Sequence, residues 1–179
     1  YIFGKKSYRH YQYINQLFDN KKKEGELYHL KVTQGSGDEN FRISSNILKP
    51  RTMDTIYLEN KVTDKIKMHI DNFIQNKSIY DSRNLRYKTG ILLQGEPGTG
   101  KTSLATAIAT EYKSDLIVID MNSFEGINTT VLSETINADD CQYIVLLEDI
   151  DCIIGDREDE KADKEDKALI NKLLQFLDS

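Results

Sequence analysis

The run Gly95-Glu96-Pro97-Gly98-Thr99-Gly100-Lys101-Thr102 constrains this chain more than any other stretch. It is a complete G-x-x-x-x-G-K-[ST] loop between the apolar run Ile91-Leu92-Leu93 and the helix-like segment Ser103 to Tyr112. Glycines let such a loop curl until successive backbone N–H groups converge on phosphate oxygens, and the dipole of the following helix adds positive potential there. The expected phosphate-binding residues are therefore Gly95, Glu96, Pro97, Gly98, Thr99, Gly100, Lys101, Thr102 and Ser103. Lys101 reaches the β- and γ-phosphates and the Thr102 hydroxyl ligates Mg²⁺ in this reading. It predicts a buried strand at 91–93 that feeds the loop and a nucleotide as its ligand.

A second apolar run, Tyr143-Ile144-Val145-Leu146-Leu147, leaves no room for a solvated face and predicts a central strand of a parallel sheet. It ends in Glu148-Asp149-Ile150-Asp151. Strand C-termini in such sheets open onto the ligand crevice, which sets these carboxylates beside the phosphates. Glu148 is the expected Mg²⁺ partner, through a water, and Asp149 the group that orients or deprotonates the attacking water.

Leu116-Ile117-Val118-Ile119 predicts another buried strand, and Val131, Leu132 and Ile136 a short helix before the Tyr143 strand. Strands alternating with helices at these lengths predict βαβ units, hence an α/β fold with a parallel sheet flanked by helices. Upstream, Val62, Ile66, His69, Ile70, Phe73 and Ile74 recur at helical spacing and predict an amphipathic helix over 60–77. Thr55-Ile56-Tyr57-Leu58 reads as a short strand. Downstream, eleven of the twelve residues from Asp156 to Lys167 are charged, as in a solvated loop or an exposed helix start. Ala168, Leu169, Leu173, Leu174, Phe176 and Leu177 then predict a last amphipathic helix.

Residues 1–48 form a separate small β-rich segment in this reading, and residues 49–179 the nucleotide-binding core, with Pro50 at the boundary. Leu27 to Val32 alternates like a half-buried strand, Gly35-Ser36-Gly37-Asp38 marks a turn, and Phe41-Arg42-Ile43 starts a second strand. Tyr1, Phe3, Tyr8, His10, Tyr11 and Tyr13 interleave with Lys5, Lys6 and Arg9, a pattern that fits either a nucleic-acid contact or an ordinary surface. Residues 1–49 hold nine Lys/Arg against five Asp/Glu, but the whole chain carries a net charge of −5, which argues against a dedicated nucleic-acid binder. Cys141 and Cys152 have neither metal nor redox spacing and are expected to be thiols, placing the chain in the cytoplasm or another reducing compartment. No apolar run reaches membrane-spanning length within the segment, and an anchor upstream of Tyr1 stays open.

The phosphate loop, followed by an apolar strand ending in acids and Ile150-Asp151, resembles the AAA ATPases. Within that family it is similar to the branch of the mitochondrial chaperone that translocates the Rieske iron–sulfur protein in cytochrome bc complex assembly. Three stretches carry that resemblance: Pro50-Arg51-Thr52-Met53-Asp54-Thr55-Ile56-Tyr57-Leu58, the approach from Phe73 through Tyr80 and Tyr87 to Gly90-Ile91-Leu92-Leu93, and Glu148 preceding Asp149 where most of the family has the reverse order. The resemblance covers roughly residues 49–179. It implies Mg²⁺-dependent ATP hydrolysis with Lys101 and Asp149 in catalysis, an adenine pocket around Thr55 to Val62, a homo-oligomeric ring and a protein substrate to be remodelled or translocated. It also implies that a sensor strand, an arginine finger and a helical lid follow Ser179. Phe124-Glu125-Gly126 stands where a substrate-gripping pore loop is expected but fits the aromatic–apolar–glycine pattern poorly, so Phe124 is read as a packing residue. Two rival readings remain: a DNA-associated loader ATPase, and a nucleotide switch in which the Glu148-Asp149 order disables chemistry.

Overall fold

Four consecutive β-branched or leucine residues, Leu116 to Ile119, bury every side chain, because this strand lies in the middle of a sheet covered on both faces. In the computed structural model, which describes residues 27–33, 42–136, 143–153 and 162–178, the strands are β1 (Tyr28–Thr33), β2 (Arg42–Ile47), β3 (Asp115–Asp120) and β4 (Tyr143–Glu148). Their order in the sheet is β2-β1-β3-β4. β1 pairs parallel with β3 (His29 opposite Leu116), β3 pairs parallel with β4 (Asp120 opposite Glu148), and only β1 with β2 is antiparallel. The helices are α1 (Asn60–Gln75), α2 (Lys77–Ser82), α3 (Lys101–Glu111), α4 (Thr129–Ile136) and α5 (Ala162–Asp178). The α/β class expected for a phosphate-loop fold is the one observed.

Alternate side chains of β3 serve the two layers, as strand geometry requires. Ile117 and Ile119 join Leu30, Val32, Met121, Phe124, Ile127 and Leu132 in a core closed by Leu173 and Phe176 of α5. Leu116 and Val118 face Ala105 and Ala109 of α3 together with Leu48. The other flank of α3 presents Leu104, Ala107 and Ile108 to Met53 and Ile66. α3 is thus buried on both flanks, and its small alanines let the sheet approach closely.

Parallel pairing of β1 with β3 is pinned at one end by the Tyr28 N–H, which donates to the buried Asp115 carboxylate at 2.9 Å. β1 and β2 therefore extend the same sheet as β3 and β4, across the boundary expected at 48/49.

Two expected strands do not form. Ile91–Leu93 has no ladder, and Leu92 is 80% exposed. A strand forms only against a neighbour, and β4 pairs on one side only among the described residues. The run Thr55–Leu58 becomes a 3₁₀ turn (Met53–Thr55) and an extended piece, because Ile56 and Leu58 pack on the α1–α3 cluster rather than beside a strand. The remaining strands and helices fall where the sequence puts them, except that α1 ends at Gln75 and α2 (Lys77–Ser82) forms where the sequence reads as the end of that helix and the polar loop from Tyr80 to Lys88. The aromatic and basic residues before position 27, the Gly35–Asp38 turn, Phe41, Cys141 and the charged run up to position 161 lie outside the described residues. Among the described residues no helix is long and apolar enough to cross a membrane.

Candidate functional site

The phosphate loop depends on two backbone conformations that only glycine adopts without strain. Gly98 has φ +78° and Gly100 has φ +93°, and Gly100 caps the N-terminus of α3 in the left-handed region. A β-carbon on Gly95 would sit 3.1 Å from the Thr99 hydroxyl, a close approach that also favours glycine. The Thr99 hydroxyl donates to the Glu96 carbonyl at 2.8 Å, which tightens the turn.

Lys101, the first residue of α3, folds its side chain back across the loop. Its ammonium donates to the carbonyls of Gly95 (2.8 Å) and Glu96 (3.0 Å), so the charge sits at the loop's centre. The first N–H groups of any helix lack intrahelical acceptors. Here those N–H groups belong to Lys101, Thr102 and Ser103, directly beside that ammonium. Left-handed glycines, free helix N–H groups and a centred ammonium form a donor set that fits a polyphosphate.

Opposite the loop, the carboxylate at the end of β4 closes the site. The Thr102 hydroxyl donates to Glu148 Oε1 at 2.7 Å. A hydroxyl and a carboxylate in contact form a hard oxygen pair of the kind Mg²⁺ takes, so the residues fit that cation as well. Among the described residues no group of three or more His, Cys, Asp or Glu side chains forms a cluster able to hold a metal, so the fit concerns a cation shared with phosphate oxygens. Asp149, the next residue, is exposed and has φ +55°. Asp tolerates that left-handed conformation better than most residues, and its use here turns the chain sharply out of the strand into the 3₁₀ turn Ile150–Ile153.

The residues expected to hold phosphate, Mg²⁺ and water, Gly95 to Ser103 with Glu148 and Asp149, therefore lie together at the C-terminal end of β4 and the start of α3. Phe124 does not face this crevice. It is fully buried against Phe176, with the Lys172 ammonium 5.6 Å from its ring and bonded to the Phe124 and Glu125 carbonyls.

Three features escaped the sequence. Asp120, at the end of β3 beside Glu148, accepts from the Asn122 backbone N–H at 3.0 Å and its side-chain amide at 3.1 Å. The Asp-x-Asn spacing is a recognisable turn signal for that contact. The left-handed Asp149 and the contact of Arg51 with Ser103 have no such local signal.

Comparison with known proteins agrees with this geometry. The family described as "ATPase family associated with various cellular activities (AAA)" matches residues 91–179. The chain is 32% identical over 123 residues to the "Probable mitochondrial chaperone BCS1-A" of Dictyostelium discoideum, covering 69% of this chain and 29% of that protein. An AAA-ATPase of Arabidopsis thaliana is 33% identical over 140 residues, covering 74% of this chain and 28% of the relative. The "Mitochondrial chaperone BCS1" of Bos taurus is 32% identical over 108 residues, covering 60% of this chain and 26% of its own length. The chain thus spans less than a third of the length of these curated relatives.

Proposed function

Because the chain carries a domain of the AAA ATPase family, we propose that it binds and hydrolyses Mg²⁺-ATP and that its full protein uses the cycle, as an oligomeric ring, to remodel or translocate a protein substrate. The observation that carries the nucleotide reading is the 2.7 Å contact between Thr102 and Glu148, which joins the phosphate loop to the acidic strand end. In this assignment the backbone of Gly98, Gly100 and Lys101 and the Lys101 ammonium hold the phosphates. Thr102 and Glu148 hold Mg²⁺, which when bound neutralises phosphate charge. Asp149 orients or deprotonates the attacking water. Asp is one methylene shorter than Glu, and the sharp left-handed turn at Asp149 supports a carboxylate delivered close to the crevice. The protein-handling half of the proposal is supported by relatives named as chaperones.

Titration of the full chain with Mg²⁺-ATP, beside Lys101→Ala, tests the site. Saturable binding by the wild type that is weakened on the order of a hundredfold in the variant supports it, since charge-assisted hydrogen bonds contribute about 1.5–3 kcal/mol each. Equal affinity in the two proteins refutes it.

A further inference from the structure

We infer that Arg51 is a positioning residue for the phosphate loop: it fixes the Ser103 hydroxyl, and with it the first turn of α3, toward the phosphate chain. The inference rests on the nucleotide reading above and concerns a residue 52 positions away from its contact.

Arg51 grips α3 at two heights. Its guanidinium Nη1 donates to Ser103 Oγ at 2.9 Å, and its backbone N–H donates to Thr110 Oγ1 at 3.2 Å. The Thr110 hydroxyl spends its own proton on the Thr106 carbonyl at 2.9 Å, so it is left as an acceptor for Arg51. Positions 103, 106 and 110 fall on one stripe of a helix, so Arg51 runs along that stripe.

Apolar anchors hold the segment on both sides of Arg51. Leu48 packs with Ala105 and Ala109, and Met53 packs with Leu104, Ala107 and Ile108. The main chain from 48 to 53 is thus strapped across α3, which delivers the guanidinium to the loop end of the helix. The Leu48 N–H also donates to the Leu27 carbonyl at 2.8 Å, tying the strap to the strand pair β1–β2.

The chemistry at Ser103 follows from the donor's identity. A guanidinium is always charged and only donates, so it occupies a Ser103 lone pair and leaves the Ser103 O–H to donate elsewhere. Ser103 adjoins Thr102, whose hydroxyl is already on Glu148. The strap therefore adds a fixed positive charge and an oriented hydroxyl at the first turn of α3, beside the phosphate loop. A contact of that kind acts on nucleoside diphosphate and triphosphate alike, whereas Lys101 is assigned to the β- and γ-phosphates.

Fluorescence titration with Mg²⁺-ADP and Mg²⁺-ATP on the full chain tests this in wild type, Arg51→Gln, Ser103→Ala, their double variant and Arg51→Lys. Arg51→Gln is expected to weaken both nucleotides by a similar factor, roughly ten- to a hundredfold, as for loss of one charge-assisted hydrogen bond. Ser103→Ala should lose a comparable factor, the double variant no more than the worse single, and Arg51→Lys should recover part of the affinity. Melting without nucleotide should match wild type in Ser103→Ala, which separates positioning from folding. Wild-type affinity in Arg51→Gln, or losses that multiply in the double variant, overturns the inference while leaving the nucleotide site intact if Lys101→Ala still fails to bind. Equal binding by wild type and Lys101→Ala overturns both.

Discussion

The Thr102 hydroxyl donates to the Glu148 carboxylate across 2.7 Å, linking the first turn of α3 to the last residue of β4 although 46 positions separate them in the chain. The sheet makes this possible. β4 ends level with Asp120 of β3, and α3 packs Ala105 and Ala109 on β3's Leu116 and Val118, so its N-terminus rises at the same end. Loop and carboxylate meet through packing far from either.

Glu148→Gln is expected to raise the Mg²⁺ concentration needed for half-maximal nucleotide binding by about tenfold or more, the range seen when a partner of a bound metal is lost. The amide keeps an oxygen for Thr102 and removes the charge. A Mg²⁺ titration at fixed nucleotide checks it, and an unmoved midpoint would show that Glu148 serves only as a strand cap.

Gly100→Ala forces a β-carbon into φ +93° and should cost about 1–2 kcal/mol in urea unfolding. Gly90→Ala is its control. Nothing lies within 4 Å of a β-carbon there, so that variant should melt like wild type.

Phe124→Ala empties a fully buried position between Phe176 and the Lys172 ammonium. Large aromatic truncations of this kind cost about 3–5 kcal/mol. Chemical denaturation reads the loss directly. A variant as stable as wild type would contradict the packing role.

Alkaline stability should depend on Tyr112. Burial, followed by its hydrogen bond to Asp71 at 2.9 Å and the charges of Asp71 and Glu111, pushes its phenol from 10.0 up to about 12. The unfolded chain therefore releases this proton first. The contribution is complete below pH 10 and disappears as pH climbs to about 12. Melting temperature followed from pH 9 upward should fall less steeply in Tyr112→Phe than in wild type, and parallel curves would contradict the assignment.

Local chemistry was legible and pairing was not. Gly98, Gly100 and Lys101 announce the loop because the motif is contiguous, and β3 and β4 announce themselves by unbroken apolar runs. The helix 101–111 follows from its place after the loop. Whether a run becomes a strand depends on a neighbour that sequence does not display. Ile91–Leu93 and Thr55–Leu58 have the composition of strands and no ladder, whereas the alternating Tyr28–Thr33 joins β3 across 87 positions through a register that Asp115 fixes. Arg51 was hidden for a similar reason. Its partners Ser103 and Thr110 are ordinary helix residues until the strap crosses them. Asp149 was legible as an acid and not as a left-handed residue, since backbone conformation at a strand end is set by the turn that follows.

ATP turnover by the full-length protein beside its Asp149→Asn variant, with bound nucleotide measured in parallel, decides whether Asp149 drives hydrolysis. Wild type is expected to hydrolyse Mg²⁺-ATP while the variant retains ATP and turns over at least a hundredfold more slowly, about the contribution of a general base. Wild type that binds ATP without hydrolysing it, and a variant that changes nothing, would contradict the motor and leave a nucleotide switch in its place.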